Sequence, residues 1–239
     1  MKACLITATK NRHTHLERLV RFSMNQTCQD WTHLIFNNSN QLLELSDVLP
    51  KDKYILINKS ICDRTNQPYN TLGDIYMDCL KFIPEDCDII NFMDDDDIYL
   101  KEHVECGIKG INSGDYIAYK PAKSWFLQVG DKLDLVENTL EPSIFVRKDH
   151  VLENGFYLNT TSQHLKWIES GLRKNGIFVD PNGKPTYICD WSQKIPIFKT
   201  SGDPHNPLNF NNYNKYSKDN GDNVITPCSE ELACDYCRI

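Results

Sequence analysis

The chain has 239 residues, of which 40% are hydrophobic, 10% aromatic and 25% charged. This length fits one large domain, and the composition excludes a wholly disordered or fibrous chain. The formal net charge of −7 argues against broad binding to nucleic acid or to an anionic membrane, although it leaves a local basic groove possible.

Neither an export signal nor a membrane-spanning segment is predicted. The first apolar run, residues 3–8, is too short for a signal peptide and lacks its flanks. No stretch approaches the ~20 apolar residues that a transmembrane helix needs. We therefore expect a soluble, cytoplasmic protein, and we expect most of the ten cysteines to be reduced core thiols.

Strand-like and helix-like segments alternate through the first hundred residues. Thr14 and Glu17 have the spacing of a capping box, which predicts that a helix begins there. A second helix is predicted over 70–82 and a short helical stretch over 41–46. Strands are predicted over 2–8, 32–36, 53–58 and 88–93. This order predicts an α/β fold with a mostly parallel, Rossmann-like sheet and flanking helices. The polar segments 9–12, 37–40 and 94–97 follow three of its strands, so we expect them to converge on one crevice at the carboxyl ends.

The second half is less regular and indicates a smaller, antiparallel part of the fold. Its predicted elements are strands over 115–119, 124–129, 143–147, 177–179 and 186–189 and a helix over 162–174. We expect one domain over residues 1–200, made of two halves (1–110 and 111–200). The polar segment 201–239 is predicted to be a C-terminal loop or lid.

Four consecutive carboxylates, Asp94, Asp95, Asp96 and Asp97, follow the predicted strand at 88–93. Their mutual repulsion is costly unless they face water or a cation. A solvated acidic turn is the usual interpretation of such a run. At the carboxyl end of a buried strand in an α/β pattern, where ligands bind, a site for Mg²⁺ or Mn²⁺ is favoured instead.

Two segments resemble the family 2 glycosyltransferases of the GT-A fold: residues 5–12 (LITATKNR) and, more specifically, residues 89–99 (IINFMDDDDIY). The resemblance extends over about residues 2–190 and is densest in the first hundred. It implies a metal-dependent transfer of a sugar from a nucleotide-diphosphate sugar. It also implies that residues 1–200 are one catalytic domain, with a nucleotide-sugar-binding half (1–110) and an acceptor-side half (111–200). It also implies Asp94 and Asp96 as metal ligands, with Asp94 and Asp95 contacting the nucleotide.

The same resemblance implies further donor contacts, which are Thr9, Asn11, Arg12, Asn37, Asn38, Asp63, Arg64 and Asn70. An acidic residue commonly follows the second strand in this family, and the asparagines at 37 and 38 depart from that pattern. Arg12 could instead be structural, and Asp63 and Arg64 could form a surface pair.

Inverting transfer requires a general base that removes the proton of the acceptor hydroxyl. The family usually supplies an Asp at the start of a helix in the second half, where this chain has Gln163 and His164. His164 is therefore the candidate base and Glu169 its rival, with Glu141 and Asp149 as further candidates. A histidine near a helix start is otherwise a polar surface residue.

Several other residues have both a functional and a structural interpretation. His205 could complete the metal shell or be a loop residue without a role. Trp125, Trp167 and Trp191 could form an acceptor platform or pack in the core. Cys228, Cys234 and Cys237 contain one Cys-x-x-Cys spacing, but a zinc site would need a fourth ligand.

The acceptor is predicted to be a glycan or a lipid-linked sugar, or a hydroxymethylated base in DNA if the second half forms a basic groove. Two other functions stay open. A nucleotidyltransferase also binds metal through carboxylates, although it usually has a glycine-rich loop after the first strand, and residues 9–12 contain no glycine. A non-catalytic sugar-nucleotide-binding protein of the same fold would explain the missing Glu-Asp pair.

Overall fold

A computed structural model describes residues 1–45, 49–127, 133–138, 141–159 and 163–190. The predictions for His205, Trp191 and the three C-terminal cysteines lie outside the described residues.

The described part of the chain contains five α-helices, two short 3-10 helices (Leu80–Phe82 and Glu141–Ser143) and thirteen strands. The helices are α1 (His13–Met24), α2 (Leu72–Cys79), α3 (His103–Asn112), α4 (Lys148–Asn154) and α5 (Leu165–Arg173). The strands are β1 (Ala3–Thr9), β2 (Trp31–Asn37), β3 (Tyr54–Asn58), β4 (Ile61–Cys62), β5 (Gln67–Pro68), β6 (Ile89–Phe92), β7 (Ile98–Tyr99), β8 (Ala118–Pro121), β9 (Lys123–Leu127), β10 (Leu133–Glu137), β11 (Phe145–Arg147), β12 (Ile177–Asp180) and β13 (Tyr187–Asp190).

Seven strands form the central sheet, in the order β12-β8-β11-β6-β1-β2-β3. Strands β3, β2, β1 and β6 are parallel, and β12 is parallel to β8. Only β11 runs against its neighbours β6 and β8 in this sheet of the described chain. The predicted mostly parallel α/β sheet is therefore confirmed.

Side chains alternate between the two faces of β1, and different helices cover each face. Ala3 and Leu5 join an apolar cluster with residues of α1 and α3, whereas Cys4 and Ile6 join a second cluster with residues of α2, α4 and α5. This period of two is expected for a strand that is buried on both faces. The sheet is thus the middle layer between two layers of helices.

A second sheet of four strands, in the order β10-β9-β13-β7, packs into the same apolar cluster as α1. Its outer pairs, β10 with β9 and β13 with β7, are antiparallel, while β13 and β9 are parallel. Strand β7 directly follows the four aspartates. The second sheet therefore borders the candidate site.

Some local predictions were wrong. Helix α1 begins at His13 without a side-chain cap, and Glu17 binds Arg21 instead of forming a capping box with Thr14. Residues 41–45 are not helical. Helix α3 escaped prediction because Gly107 and Gly110 disfavour a helix, yet these glycines let α3 approach the rings of Phe145 and Tyr119, where a Cβ would clash.

The structure describes seven cysteines, all as thiols, and five of them are buried. In the part of the chain that the structure covers, no helix has the length and apolar character needed to cross a membrane.

Two histidines are buried beside the central sheet with both ring nitrogens hydrogen-bonded. The ring of His33 contacts Thr7 Oγ1 at 2.9 Å and Ser23 Oγ at 3.1 Å. The ring of His103 contacts Thr186 Oγ1 at 2.9 Å and Asn91 Oδ1 at 3.2 Å. Burial lowers the pKa of each histidine to about 3, so both stay neutral in the folded protein.

Acid should therefore destabilise the fold well above the range in which carboxylates titrate. Below a pKa of about 6.5 the unfolded chain binds protons at His33 and His103 that the folded chain does not bind, so stability is lost as the pH falls. At pH 5 each histidine should lower the free energy of unfolding by about 2 kcal/mol relative to pH 7.5. Urea unfolding at both pH values measures the difference.

In the variant His103→Gln the loss between the two pH values should be smaller. The matched control His13→Gln alters an exposed histidine and should keep the wild-type difference. Equal pH dependence of His103→Gln and the wild type would contradict the buried neutral state.

Candidate functional site

The loops that follow β1, β2 and β6 meet at one edge of the central sheet. Thr9 pairs with Asn37 at the ends of β1 and β2, and the Asn38 amide donates to the Thr9 carbonyl at 3.1 Å. The Thr9 hydroxyl donates to Asp95 Oδ2 at 2.7 Å. The predicted convergence of three polar segments is therefore confirmed.

Residues Asp94–Asp97, here called the acidic turn, connect β6 to β7. Asp95, Asp96 and Asp97 are buried, with 3%, 5% and 2% of their surface exposed, and Asp94 is partly exposed. The amide of Asp94 donates to the Tyr99 hydroxyl at 2.7 Å. So much buried carboxylate requires compensating donors or a cation.

Asp95 is compensated from within the protein. Arg12 Nη1 lies 2.7 Å from Asp95 Oδ1 and 3.4 Å from Asp96 Oδ2, and Thr9 binds the other oxygen of Asp95. Burial alone would lower the pKa of Arg12, but the charges of Asp95 and Asp96 raise it above its usual value. Arg12 thus links the loop after β1 to the acidic turn.

Asp97 is held by the second sheet. Its Oδ2 accepts from the Tyr187 hydroxyl at 2.5 Å, and its Oδ1 accepts from the Asp190 amide at 2.9 Å. Burial and then the charge of Asp97 raise the pKa of Tyr187, which keeps the phenol protonated as a donor. These bonds fix the end of the acidic turn against β13.

Arg18 of α1 ties the same two segments together. Its Nη1 lies 2.8 Å from Asp190 Oδ2, and its Nη2 donates to the Asp96 carbonyl at 2.7 Å. The side chain of Asp190 is only 2% exposed. Arg18 therefore neutralises a buried carboxylate and positions the backbone of the acidic turn at once.

Asp94, Asp96 and Asp97 are spaced so that they could hold one divalent cation. Each offers a carboxylate oxygen, and these oxygens lie within 4.8 Å of one another. Oxygen donors of this kind suit Mg²⁺ or Mn²⁺. The partly exposed Asp94 gives the cluster access to solvent, which a ligand bound through the metal would need.

The asparagines predicted to contact the nucleotide shape the loops beside the acidic turn. Asn37 donates from Nδ2 to the Gln41 carbonyl and to Asn58 Oδ1, both at 2.7 Å. Asn11 has a φ of 57° and accepts a hydrogen bond from Ser39 through Oδ1. An Asn tolerates this left-handed conformation better than most residues.

Asp63 and Arg64 lie between β4 and β5 and do not pair with each other. Asp63 binds Lys59 at 2.5 Å and Lys81 at 2.7 Å, and these two lysines lower its pKa to about 2. Arg64 binds Asp74 of α2 at 2.9 Å. The ion pairs attach the β4–β5 hairpin to α2, while Asn70 is exposed just before this helix.

His164 is not the surface residue that its place before α5 indicated. Its ring lies 4.8 Å from the ring of Phe92 and 5.1 Å from that of Tyr76, and it also packs against Phe156 and Trp167. Burial lowers its pKa to about 3. Within the described residues, the Nδ1 of His164 and the Oε1 of Gln163 are buried without a hydrogen-bond partner.

The other candidate bases differ in their positions relative to the acidic turn. Glu169 lies in the middle of α5 and accepts from the Tyr157 hydroxyl at 3.1 Å. Asp149 follows β11, whose end pairs with the beginning of β6, so it lies at the opposite edge of the sheet. Glu141 begins the short 3-10 helix Glu141–Ser143, which precedes β11 at the same edge as the acidic turn.

The structure supports core packing for the two tryptophans of the predicted acceptor platform that it describes. Trp125 is 7% exposed and Trp167 is 1% exposed, and both belong to the apolar core.

Sequence reasoning missed Arg18, Tyr187 and Asp190. Arg18 resembles any basic residue of an amphipathic helix, and the other two lie about ninety residues beyond the acidic turn. Only the pairing of β13 with β7 brings them into contact with it. No local pattern could have identified them.

Comparisons with known proteins identify the fold. No family model matches the chain, and no curated protein matches it either. Among solved structures, S. aureus TarS 1–349 in complex with UDP-GlcNAc is similar, with a TM-score of 0.63, 15% identity and coverage of 84% of this chain and 61% of that chain. A longer TarS structure gives a TM-score of 0.59 at 16% identity over 79% of this chain and 36% of that one.

The mannosyltransferase PcManGT from Pyrobaculum calidifontis, in complex with GDP-Man and Mn²⁺, is also similar. It has a TM-score of 0.56 and 10% identity, covering 80% of this chain and 56% of that one. The chain thus spans less than two thirds of each of these proteins. The likenesses confirm the GT-A-like fold that the sequence predicts.

Replacing Arg18 should destabilise the protein far more than replacing its neighbour Arg21. Arg18→Gln removes a cation paired with the buried Asp190 carboxylate, which should cost about 2–3 kcal/mol, somewhat less than for a fully buried pair. Arg21→Gln removes an exposed pair with Glu17 and should change stability by less than about 0.5 kcal/mol. Urea unfolding of both variants measures the effects, and equal losses would show that Arg18 has no special role.

Proposed function

We propose that this protein is a glycosyltransferase that takes its sugar from a nucleotide-diphosphate donor held at the acidic turn with Mn²⁺ or Mg²⁺. The observation that carries the proposal is the group of three carboxylates, spaced to hold one cation, at the carboxyl end of β6 in a GT-A-like fold. Ligands of open α/β sheets bind at this edge. TarS with UDP-GlcNAc and PcManGT with GDP-Man and Mn²⁺ support such a donor.

In this proposal Asp94 and Asp96 are the principal metal ligands, and His205 is a further ligand suggested by the sequence. Asp97 has both oxygens hydrogen-bonded, so its first role is to position the turn. A bound divalent ion would offset the negative charge of the donor diphosphate and of its leaving group. Asp95, fixed by Thr9 and Arg12, would face the nucleotide.

The loops after β1 and β2 would form the rest of the donor site. Asn11, Asn37 and Asn38 lie in these loops beside the acidic turn. Asp63, Arg64 and Asn70 would reach the donor from the β4–β5 hairpin and the start of α2. Residues 1–110 would thus bind the nucleotide sugar, and residues 111–200 would supply the acceptor side.

The chemistry proposed is a displacement with inversion at the anomeric carbon. The acceptor oxygen forms a bond to that carbon while the bond to the donor phosphate breaks, and a protein base takes the acceptor proton. A hydroxyl of a glycan or lipid-linked sugar is the favoured acceptor. The net charge of −7 makes a hydroxymethylated DNA base the less favoured one.

A non-catalytic protein that binds sugar nucleotides is the second candidate function. It is favoured by Gln163 and His164, which replace the expected acidic pair and lie buried beside the donor edge. Nucleotide binding is common to both functions, whereas turnover of the donor distinguishes them.

Calorimetric titration of UDP, GDP, ADP, CDP and dTDP with and without Mn²⁺ tests the donor site. The wild type should bind one nucleotide in a Mn²⁺-dependent manner, and Asp96→Ala should weaken that binding at least about tenfold because it removes a charged ligand. Asp86→Ala, which alters an exposed acid paired with Lys2, should bind like the wild type. Failure of every nucleotide to bind the wild type would refute the proposal.

A further inference from the structure

The structure discriminates among the carboxylates and the histidine that could act as the general base. This inference rests on the proposed function, which sets two requirements for a base. It must lie at the edge of the sheet that holds the donor, and it must be able to accept and hold a proton at moderate pH. Partial burial favours the second property in a carboxylate because it destabilises the charged form.

Glu141 satisfies the requirement of position. Strands β11 and β6 are antiparallel with Phe145 opposite Asn91, so the beginning of β11 lies beside the end of β6, where the acidic turn starts. Asn91 Nδ2 donates to the Pro142 carbonyl at 2.8 Å and to the Ile144 carbonyl at 3.0 Å. These bonds fasten the short 3-10 turn Glu141–Ser143 to β6 three residues before Asp94.

The positive charge of Lys120, near the end of β8, acts electrostatically on Glu141. The Lys120 Nζ donates to the Asn138 carbonyl at 2.5 Å, and burial lowers its pKa. Burial raises the pKa of Glu141, while its own backbone amide and the charge of Lys120 partly oppose the rise. The carboxyl group is thus largely desolvated, keeps some exposure and is influenced by the charge of Lys120.

Each of the other candidate bases lacks either the position or the proton affinity that the reaction requires. His164 lies near the donor edge, but its pKa of about 3 makes it a weak proton acceptor at neutral pH. Glu169 lies five residues after His164, so α5 carries it about 7 Å away from this edge. Asp149 is exposed at the opposite edge.

We propose that Glu141 is the general base of the transfer reaction. Its carboxylate takes the proton of the acceptor hydroxyl while the acceptor oxygen bonds to the anomeric carbon. The electron pair of the broken carbon–oxygen bond leaves with the nucleoside diphosphate. Lys120 stabilises the carboxylate before transfer.

Release of nucleoside diphosphate from UDP-GlcNAc and GDP-mannose, with Mn²⁺ and with water as the acceptor, tests this assignment. Glu141→Gln should lower kcat by about 10²–10⁴-fold without weakening nucleotide binding, and the acidic limb of the pH–rate profile should disappear. Glu141→Asp should recover part of the rate because it keeps a carboxylate. A wild-type kcat in Glu141→Gln, or a larger loss in His164→Gln or Glu169→Gln, would overturn the proposal.

Two controls keep the result interpretable. Glu137→Gln removes an exposed ion pair between Glu137 of β10 and Lys123 of β9, and it should leave the rate unchanged. A wild type that binds no nucleotide would refute the proposed function, whereas normal binding with an unaffected Glu141→Gln rate would refute only the assignment of the base.

If the wild type binds nucleotide but releases none from either donor, ¹³C NMR titration of the Glu141 carboxyl, assigned by its absence in Glu141→Gln, decides the question. The proposal expects a pKa above that of an ordinary Glu and a resonance that shifts when UDP-GlcNAc and Mn²⁺ are added. An ordinary pKa with no response to the donor would overturn it.

Discussion

Charge compensation in the acidic turn is the constraint on which the rest of the site depends. Four adjacent carboxylates, three of them buried, would repel one another strongly if they were left in a low-dielectric environment. The protein offsets the charge of Asp95 with Arg12 and satisfies Asp97 with Tyr187 and a backbone amide. The carboxylate oxygens of Asp94, Asp96 and Asp97 lie close enough together to hold one cation.

This compensation links parts of the fold that are distant in sequence. Arg12 approaches the turn from the loop before α1, and Arg18 approaches it from α1 itself. Tyr187 and Asp190 approach from the second sheet. The central sheet fixes the position of the turn, and the second sheet fixes its conformation. The smaller sheet therefore holds the acidic turn in place as well as bordering it.

The sequence predicted the central sheet well because its strands are continuous apolar runs that end in polar residues. It predicted the convergence of Thr9, Arg12 and the aspartates because parallel strands bring their carboxyl ends together. It could not predict α3, whose glycines are explained only by packing against Phe145 and Tyr119. Nor could it place His164 in an aromatic cluster, since burial of a residue next to a helix start depends on which face of the sheet the helix covers.

Anomalous diffraction at the manganese edge, from crystals grown with Mn²⁺ and the nucleotide diphosphate that binds, tests the central claim most directly. The account predicts one strong peak about 2.2 Å from carboxylate oxygens of Asp94 and Asp96, with the diphosphate completing the coordination shell. A metal bound elsewhere, or a nucleotide bound with no manganese at the acidic turn, would contradict it. In that case the carboxylates would be a purely structural feature of the turn.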